Sequence, residues 1–404
     1  MKHIVVIGAG QAAAQCAESL RRKGYDGALT LVGREAHLPY QRPPLSKKYL
    51  AGELGLNRML LRHQSFFDEQ NIQVRLGREA IAIDRAAQVV QLDDQSTLPY
   101  SELVLATGAA VRRLALPGSE GAGIHYLRDL ADADRLRAAI VPGQHAVIVG
   151  GGYIGLEVAA TMRQQGMAVT VLEMADRVMN RAVAEPISRY YEAEHRSHGV
   201  DIRLGVQVQR FECDAEGHVR FAITDQGPVP ADLVVIGVGV TPNDALAREA
   251  GLACENGIVT DEYCRTDDPK IWAIGDCSNH PSQHYGMRVR LESVDNAFEQ
   301  AQTVAANLTG TPQVHHKVPW FWSDQYHHKL LIVGLSQGHD HMILRGDPAA
   351  HSFSCCHLKA GELIAIDTVN MAKDQMAARK LIAARARPNP ERLRDITISL
   401  KDCL

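Results

Sequence analysis

The stretch that decides the fold is His3-Ile-Val-Val-Ile-Gly8-Ala-Gly10-Gln-Ala-Ala13. Its β-branched run predicts a buried strand, and the two glycines that follow predict a tight turn. Helix-forming residues at 12–23 predict a helix that ends at Gly24, and the apolar run 28–32 predicts a second strand. The order strand, glycine turn, helix, strand is typical of the βαβ unit of a doubly wound α/β sheet.

The same order recurs at Ala146-Val-Ile-Val149, Gly150-Gly-Gly-Tyr-Ile-Gly155 and Val169-Thr-Val-Leu-Glu173. Each copy matches the dinucleotide pattern G-x-G-x-x-G/A. In this pattern the first glycine permits the turn, the second lets the backbone approach a pyrophosphate, and the third small residue lets helix and strand pack closely. The matching residues are Gly8, Gly10 and Ala13, then Gly150, Gly152 and Gly155. One match alone is weak, but two in the same context predict two dinucleotides, and the usual pair is a flavin and a nicotinamide.

The residues after the second strand of each copy indicate which nucleotide it binds. Glu173 ends that strand in the second copy, where a carboxylate accepts hydrogen bonds from the adenosine ribose and repels a 2′-phosphate. The second copy therefore favours NADH over NADPH, although the nearby Arg177 counts against this. In the first copy Arg34 stands where an acid is commonest, so either Glu35 binds the ribose or Arg34 stacks on the adenine or its phosphate.

Three further predicted strands, at 103–108, 234–239 and 271–276, run into glycine. Such ends either let the backbone approach a cofactor or merely turn the chain. The third continues to Asp276, whose carboxylate could bind a ribityl hydroxyl.

The composition is that of a globular protein of 404 residues and 44.2 kDa, 46% hydrophobic and 22% charged. A net charge of −4 gives no support for nucleic-acid binding. There is no run of about 18 apolar residues, so no membrane span is predicted, and the short N-terminal apolar run does not resemble a secretory signal. The eight cysteines form no Cys-x-x-Cys, which predicts reduced thiols and a cytoplasmic location.

Six segments along the chain carry a family resemblance. They are Leu38-Pro-Tyr-Gln-Arg-Pro-Pro-Leu-Ser-Lys47, Gly150-Gly-Gly-Tyr-Ile-Gly-Leu-Glu-Val-Ala159, Val238-Gly-Val-Thr-Pro-Asn243, Ala273-Ile-Gly-Asp-Cys277, Glu292-Ser-Val-Asp-Asn-Ala297 and Pro319-Trp-Phe-Trp-Ser-Asp-Gln325. Together they resemble the FAD-dependent NADH:ferredoxin reductases of bacterial oxygenase systems, the family of putidaredoxin reductase and the Rieske dioxygenase reductases. The resemblance implies an α/β fold with two Rossmann-like dinucleotide-binding domains of the glutathione-reductase type and a C-terminal α+β interface domain.

The motifs and the resemblance together assign residues to two cofactor sites. The predicted FAD site comprises Gly8, Gly10, Ala12, Ala13, Arg34, Glu35, Arg42, Lys47, Ala80, Thr107, Gly108, Arg128, Asp276 and Val294. The predicted NADH site comprises Gly150, Gly152, Ile154, Gly155, Glu157, Glu173, Gly239 and Glu292.

Three residues are predicted to act in catalysis. The resemblance implies that Lys47 lies by the flavin, where a cation stabilises negative charge on the reduced ring. Glu157, two residues after Gly155, would lie near the nicotinamide and could pair with Lys47; the alternative is a solvated lysine and a surface glutamate. Trp322 is expected at the flavin edge, although its aromatic cluster, Trp320-Phe-Trp322, could instead fill a domain interface.

The chain is predicted to form three domains. Residues 1–108 and 236–316 would form a discontinuous FAD domain, 109–235 the NADH domain, and 317–404 the α+β domain. Alternating polar and apolar residues at 206–233 predict an antiparallel hairpin. In the C-terminal domain, short strands are predicted at 330–334, 342–345, 351–358 and 362–369, with a helix at about 373–386.

The predicted function is electron transfer from NADH through FAD to a 2Fe–2S ferredoxin that feeds a cytochrome monooxygenase or a Rieske dioxygenase. The alternatives are a rubredoxin reductase, an NADH oxidase, or a flavoprotein with a binding role like the apoptosis-inducing factors. A disulfide reductase of similar layout would need paired cysteines that the sequence lacks.

The ferredoxin is expected to be acidic and to bind transiently, with Arg288 and Arg290 as candidate docking cations. No nucleic-acid or membrane partner is expected, and the oligomeric state is left open with a slight preference for a monomer. No metal site is predicted among the 18 histidines, because neighbours such as His327 and His328 point apart on a strand. Most histidines are expected at the surface or facing a partner.

Overall fold

The computed structural model describes residues 2–404, which form two compact units. The first unit consists of residues 2–41, 56–110 and 241–319. The second consists of residues 42–55, 111–240 and 320–404.

The secondary structure has the following bounds. The helices are α1 (Gln11–Arg22), α2 (Gln64–Glu69), α3 (Leu130–Ala139), α4 (Tyr153–Gln164), α5 (Glu185–Ser197), α6 (Ala245–Glu249), α7 (Val294–Leu308), α8 (Ala372–Ala383) and α9 (Pro390–Arg394). The strands are β1 (His3–Ile7), β2 (Ala28–Gly33), β3 (Gln73–Leu76), β4 (Ala80–Asp84), β5 (Val89–Leu92), β6 (Thr97–Pro99), β7 (Glu102–Leu105), β8 (Ala109–Val111), β9 (Ile124–His125), β10 (His145–Val149), β11 (Ala168–Glu173), β12 (Val200–Leu204), β13 (Val208–Cys213), β14 (Val219–Thr224), β15 (Gly227–Pro230), β16 (Leu233–Ile236), β17 (Val240–Pro242), β18 (Ile258–Val259), β19 (Ile271–Ala273), β20 (Ser278–Ser282), β21 (Met287–Val289), β22 (Trp320–Gln325), β23 (His328–Gly334), β24 (His341–Asp347), β25 (Ser352–Lys359) and β26 (Glu362–Val369).

The first unit is built on a five-stranded sheet in the order β19-β7-β1-β2-β3. The central strand β1 pairs in parallel with β2 and with β7. Its residues Ile4, Val5 and Val6 are all buried, as expected for a parallel strand that is covered on both faces. Helices α1 and α7 pack against each other, and small residues such as Ala13, Ala17 and Ala301 allow their close approach.

The second unit contains a second five-stranded sheet, in the order β12-β11-β10-β16-β9. Here β10 is the central strand and pairs in parallel with β11 and β16. The sequence β10, glycine turn, α4, β11 therefore repeats β1, glycine turn, α1, β2. The predicted internal repeat is confirmed in both copies.

Two antiparallel sheets complete the second unit. The predicted hairpin is confirmed as a three-stranded sheet, β13-β14-β15. The C-terminal strands form a sheet in the order β22-β23-β26-β25-β24, against which α8 packs. The four predicted strands and the helix are present there, but β22 was not predicted, because its aromatic residues were assigned to the flavin edge or to a domain interface rather than to a strand.

The segment 42–55 lies within the range predicted for the FAD domain, yet it packs in the second unit. It begins with a short 3-10 helix, Pro43–Ser46. Leu50 is fully buried in a hydrophobic cluster with Leu136 and Leu156 of the same unit. The division of the chain into three domains stays a prediction.

Six of the cysteines and five of the histidines that the structure describes are buried. Cysteines 16, 264, 277, 355, 356 and 403 are buried, and burial raises the pKa of the Cys356 thiol to about 12. The buried histidines are His195, His280, His315, His328 and His357. Burial lowers the pKa of His195 to about 4, so its ring is neutral at pH 7. Among residues 2–404, no helix combines the length and apolar character needed to cross a membrane.

Candidate functional site

The first glycine turn joins β1 to α1. Gly8 has a φ of 128°, and a Cβ there would lie 2.2 Å from the carbonyl oxygen of Ala106, so both the backbone and the packing require glycine. Gly10 is the N-cap of α1 with a φ of −95°, and a Cβ there would meet no described atom within 4 Å. The fold of the described residues therefore explains Gly8 but not Gly10.

The second turn, between β10 and α4, repeats this pattern. Gly150 has a φ of 105°, and its Cβ would lie 2.5 Å from the carbonyl oxygen of Gly237. At Gly155 a Cβ would lie 2.1 Å from the oxygen of Gly150, so this glycine lets the helix pack on the turn. Gly152, the N-cap of α4, has a φ of −80° and, like Gly10, open space where a Cβ would be.

Gly10 and Gly152 leave the N-terminal ends of α1 and α4 open to a bound group. Neither helix has a side-chain cap on its first N–H groups, which carry the positive end of the helix dipole. A pyrophosphate fits such an end, because its oxygens would take the space that a Cβ would otherwise fill. Each turn therefore fits one dinucleotide. The two turns together fit one FAD and one NADH.

The carboxylate of Glu173 is held beside the second turn. Its two oxygens accept hydrogen bonds from the backbone N–H groups of Gly151, at 2.7 Å, and Ala175, at 2.8 Å. The guanidinium of Arg177, which counted against NADH in the sequence, donates to two carbonyl oxygens of its own loop, at 2.8 and 3.0 Å. The carboxylate is therefore fixed in place, whereas the cation is engaged elsewhere.

The corresponding place in the first copy carries both charges. The hydroxyl of Tyr40 donates to a Glu35 oxygen at 2.5 Å, and Arg34 is exposed to solvent. Both residues lie directly after β2, so the two alternatives for binding adenosine stay open.

A buried ion pair forms the second feature of the site. Lys47 Nζ lies 2.7 Å from Glu157 Oε2, and the side chains are 20% and 3% exposed. The hydroxyl of Ser46 donates to Glu157 Oε2 at 2.5 Å, and that of Ser323 donates to Oε1 at 2.6 Å. One ammonium and two hydroxyls thus satisfy a carboxylate that has almost no access to water. The alternative of a solvated lysine and a surface glutamate is wrong.

Three separate chain segments bring this pair together. Glu157 lies on α4, and Thr161, one turn later, donates to the Ser46 carbonyl oxygen at 2.9 Å, which holds the 3-10 helix on α4. Tyr49 donates to Asp134 on α3 at 2.6 Å and anchors the rest of the segment 42–55. Ser323 comes from β22, so the C-terminal sheet supplies one of the donors.

Ser46 and Ser323 are the functional residues that sequence reasoning missed. Ser46 precedes the predicted Lys47, and Ser323 follows the predicted Trp322, so each lay beside a chosen residue. Neither position predicts its partner, because Glu157 is more than 100 residues from both serines along the chain.

Trp322 lies on the other face of β22 from Ser323. Phe321 packs on Tyr153 of α4, with ring centroids 4.7 Å apart, on the same strand face as Ser323. Trp322 instead stacks on Trp320, at 5.4 Å between ring centroids. The structure therefore does not bring Trp322 together with the Lys47–Glu157 pair.

The remaining predicted residues divide between the two units. The first unit carries Gly8, Gly10, Ala12, Ala13, Arg34, Glu35, Ala80, Thr107, Gly108, Asp276, Glu292 and Val294, and the second carries Arg42, Lys47, Arg128, Gly150, Gly152, Ile154, Gly155, Glu157, Glu173, Gly239 and Trp322. In the second unit, Arg42 donates to the carbonyl oxygen of Arg128 at 2.7 Å. The assignment of all these residues to cofactor sites stays a prediction.

Thr107 and Gly108 are fixed by a residue that was not chosen as a site residue. The Thr107 hydroxyl donates to the carbonyl oxygen of Asn243 at 2.6 Å, and the Asn243 side-chain amide donates back to the Thr107 carbonyl oxygen at 2.9 Å. Asn243 ends the family segment 238–243, which was the available sequence signal. Elsewhere in the first unit, Asp276 lies in a short 3-10 helix and Val294 is the first residue of α7.

The two arginines expected to dock a partner are used inside the first unit. Arg290 is only 10% exposed and forms an ion pair with Glu292 at 2.7 Å. Glu292, which was predicted to bind the nicotinamide, is therefore engaged in this ion pair. Arg288 donates to the carbonyl oxygen of Thr260 at 2.7 Å. Arg290 is therefore largely engaged in internal contacts, whereas Arg288 stays exposed, and a docking role for either cation stays a prediction.

Comparison with known proteins decides the family. The pyridine nucleotide-disulphide oxidoreductase family matches residues 2–301, and the reductase C-terminal family matches residues 320–404. The chain belongs to the pyridine nucleotide-disulphide oxidoreductase family. The predicted fold class is confirmed, and this oxidoreductase uses FAD and NAD(P)H.

Its relatives within the family are ferredoxin reductases. The chain is 44% identical over 399 residues to rhodocoxin reductase of Rhodococcus erythropolis, covering 98% of this chain and 93% of that protein. It is 42% identical over 409 residues to putidaredoxin reductase of Pseudomonas putida, covering 100% of this chain and 96% of that protein.

Solved structures agree. The ferredoxin reductase for the CYP199A2 system from Rhodopseudomonas palustris has a TM-score of 0.97 and 41% identity, covering 99% of both chains. The reductase in the covalent putidaredoxin reductase–putidaredoxin complex has a TM-score of 0.97 and 42% identity, covering 99% of this chain and 97% of that one. The predicted resemblance is confirmed, and this oxidoreductase is an enzyme of the ferredoxin reductase type.

Proposed function

We propose that this enzyme oxidises NADH and delivers the electrons, through FAD, to a 2Fe–2S ferredoxin that serves an oxygenase. The observation that carries the proposal is the pair of open helix N-termini at Gly10 and Gly152, one for each nucleotide. Bound FAD accepts electrons as a pair from a nicotinamide and can release them singly, as an iron–sulfur acceptor requires. The named relatives, including the reductase components of oxygenase systems, support the same acceptor class.

The residues of the chain have separable roles in this proposal. The N-terminal end of α4 would bind the pyrophosphate of NADH, and Glu173 would accept hydrogen bonds from the adenosine ribose. The buried carboxylate of Glu157 holds the Lys47 ammonium at 2.7 Å and so fixes a positive charge on the segment 42–55. As in the family that the sequence resembles, Lys47 would act at the flavin. The role of Trp322 at the flavin edge stays a prediction, because its ring stacks on Trp320 on the other face of β22 from the donor to Glu157.

An acidic ferredoxin in a transient complex agrees with charges on α8. Lys373, Met376 and Lys380 are exposed and share one face of this helix at i, i+3 and i+7 spacing; we call them the α8 patch. Met376 is 68% exposed, and an apolar side chain between two cations suits a partner with acidic residues. A cytoplasmic location agrees with eight free cysteines, since thiols stay reduced there.

The proposal is tested by stopped-flow measurements on the FAD-loaded protein. NADH is expected to bleach the flavin absorbance rapidly, and a 2Fe–2S ferredoxin is expected to be reduced with repeated turnover. Exchanging both lysines of the α8 patch for Glu is expected to raise the KM for the ferredoxin at low salt by about tenfold, with flavin bleaching unchanged. The control is Lys359→Glu, which changes an exposed lysine at the end of β25 in the C-terminal sheet.

Three results would contradict the proposal. Reduction of rubredoxin but of no 2Fe–2S ferredoxin would favour a rubredoxin reductase. One relative, 38% identical, is a rubredoxin-NAD(+) reductase of Pseudomonas putida. Rapid NADH oxidation by oxygen alone would favour an oxidase. Bleaching without turnover to any acceptor would favour a binding role.

The position of Glu173 makes a prediction about nucleotide choice. Glu173→Gln keeps an acceptor oxygen for one of the two backbone N–H groups and removes the charge that repels a 2′-phosphate. We expect the kcat/KM preference for NADH over NADPH to fall by at least about tenfold, or ~1.4 kcal/mol. Steady-state assays with both nucleotides measure it, with Glu185→Gln, an exposed helix glutamate, as the control. An unchanged preference would show that the carboxylate does not select the nucleotide.

A further inference from the structure

Three side chains from separate elements converge in the second unit, away from the glycine turns. Glu194 lies near the end of α5, His328 begins β23, and His351 follows a short 3-10 helix and precedes β25. One potential ligand atom from each lies within 4.8 Å of the other two. Sequence reasoning predicted no metal site because it considered neighbouring histidines, whereas these ligands come together only through the fold.

The distance between the two buried members suits a metal ion. His328 Nε2 lies 3.0 Å from Glu194 Oε1. Two ligands that each bind the same Zn²⁺ at about 2.0–2.2 Å lie roughly 3.3–3.6 Å apart in a tetrahedral site. These two atoms therefore need to separate by only a few tenths of an ångström to share a tetrahedral ion.

The hydroxyl of Tyr190 organises the two rings. Its oxygen lies 2.9 Å from His328 Nδ1 and 2.7 Å from His351 Nδ1. A phenol oxygen can accept from both Nδ1–H groups, and each imidazole then carries its free electron pair on Nε2. Hydrogen bonds of this kind fix the tautomer and orientation of histidines that bind metals.

The third ligand gives access from solvent. Glu194 and His328 are buried, whereas His351 is exposed and its ring stacks near that of His328, at 5.1 Å between ring centroids. An ion can therefore approach the buried pair from the side of the exposed ring.

We propose that Glu194, His328 and His351 bind a divalent transition-metal ion of the Zn²⁺ class. Two imidazoles and one carboxylate are a ligand set that Zn²⁺ uses, whereas Mg²⁺ and Ca²⁺ prefer oxygen ligands alone. The ion joins α5 to β23 and to the start of β25. It ties the nucleotide-binding part of the second unit to its C-terminal sheet and stabilises that unit.

The experiment uses the FAD-loaded protein after treatment with a chelator. Zn²⁺ binding is measured by calorimetry, and Co²⁺ binding by absorbance at wavelengths longer than the flavin bands. We expect one ion per chain, a tetrahedral Co²⁺ spectrum and a higher unfolding temperature with Zn²⁺.

His351→Asn is the principal variant, because the residue is exposed and its φ of 53° is one that Asn tolerates. We expect this variant to bind Zn²⁺ at least about tenfold more weakly and to lose the thermal shift. Glu194→Gln is expected to act likewise, and the exposed His341→Asn is the control. The proposal is overturned if the unaltered protein binds no ion, or if His351→Asn and His341→Asn bind equally well.

Discussion

Glu157→Ala is expected to lower the free energy of unfolding by about 3 kcal/mol, because removing one member of a buried ion pair leaves the other without its counter-charge. The substitution strands the Lys47 ammonium and the hydroxyls of Ser46 and Ser323, all of which donate to this carboxylate. Lys47 is 20% exposed and retains some water, which places the loss at the lower end of the usual range for such pairs. Urea denaturation of the FAD-loaded protein, followed by tryptophan fluorescence, measures it.

Two controls isolate the buried charge. Glu157→Gln keeps one acceptor oxygen and is expected to lose less stability than the Ala variant. Glu185→Ala removes a glutamate from a surface ion pair with Arg189, in which both side chains are about half exposed, and is expected to change stability by at most about 0.5 kcal/mol. Equal stabilities for Glu157→Ala and Glu185→Ala would show that the burial of the first pair has no energetic weight.

Gly10→Ala and Gly152→Ala are expected to weaken the binding of one nucleotide each. In both cases the new Cβ meets no described protein atom within 4 Å, so its effect falls on the bound group. We expect Gly10→Ala to reduce FAD affinity, and Gly152→Ala to reduce NADH affinity, each by at least about tenfold, or ~1.4 kcal/mol. Flavin retention during dialysis measures the first effect, and the NADH dependence of flavin bleaching measures the second.

Each of these variants is a control for the other, because both alter the N-cap of a helix. An Ala at this position costs the helix about 0.5–1 kcal/mol without reference to a ligand. Gly55→Ala, at another glycine with open space, tests the substitution away from α1 and α4. Loss of both nucleotides in either single variant would indicate unfolding, and loss of neither would contradict the proposed pyrophosphate sites.

The parts of the fold that the sequence predicted are those that local residues determine. Strand β1, the glycine turn and α1 follow from one short stretch, since periodicity and glycine positions act within about 20 residues. The same is true of β10, α4 and β11. Glu157 could be predicted as a site residue because it lies only two residues after Gly155 in the second glycine motif.

The parts that escaped prediction depend on contacts between distant segments. Nothing near Ser323 in the sequence reveals that its hydroxyl reaches Glu157, 166 residues away. Arg290 was predicted as a docking cation from its charge and its place near Glu292, but the fold pairs it with Glu292 and leaves its side chain only 10% exposed. Strand β22 was hidden because alternation of large aromatics does not separate a strand from an interface cluster.

The hydroxyl that Ser323 donates to Glu157 sets a condition on domain exchange. Consider a chimaera whose last 85 or so residues come from another reductase. Its buried Glu157 carboxylate comes from the host, whereas the residue at position 323 comes from the graft. The graft then has to supply a hydrogen-bond donor at that position, or the host has to replace Glu157 by an uncharged residue. Compatibility between modules in this architecture is therefore decided by one interior oxygen as much as by the fit of two surfaces.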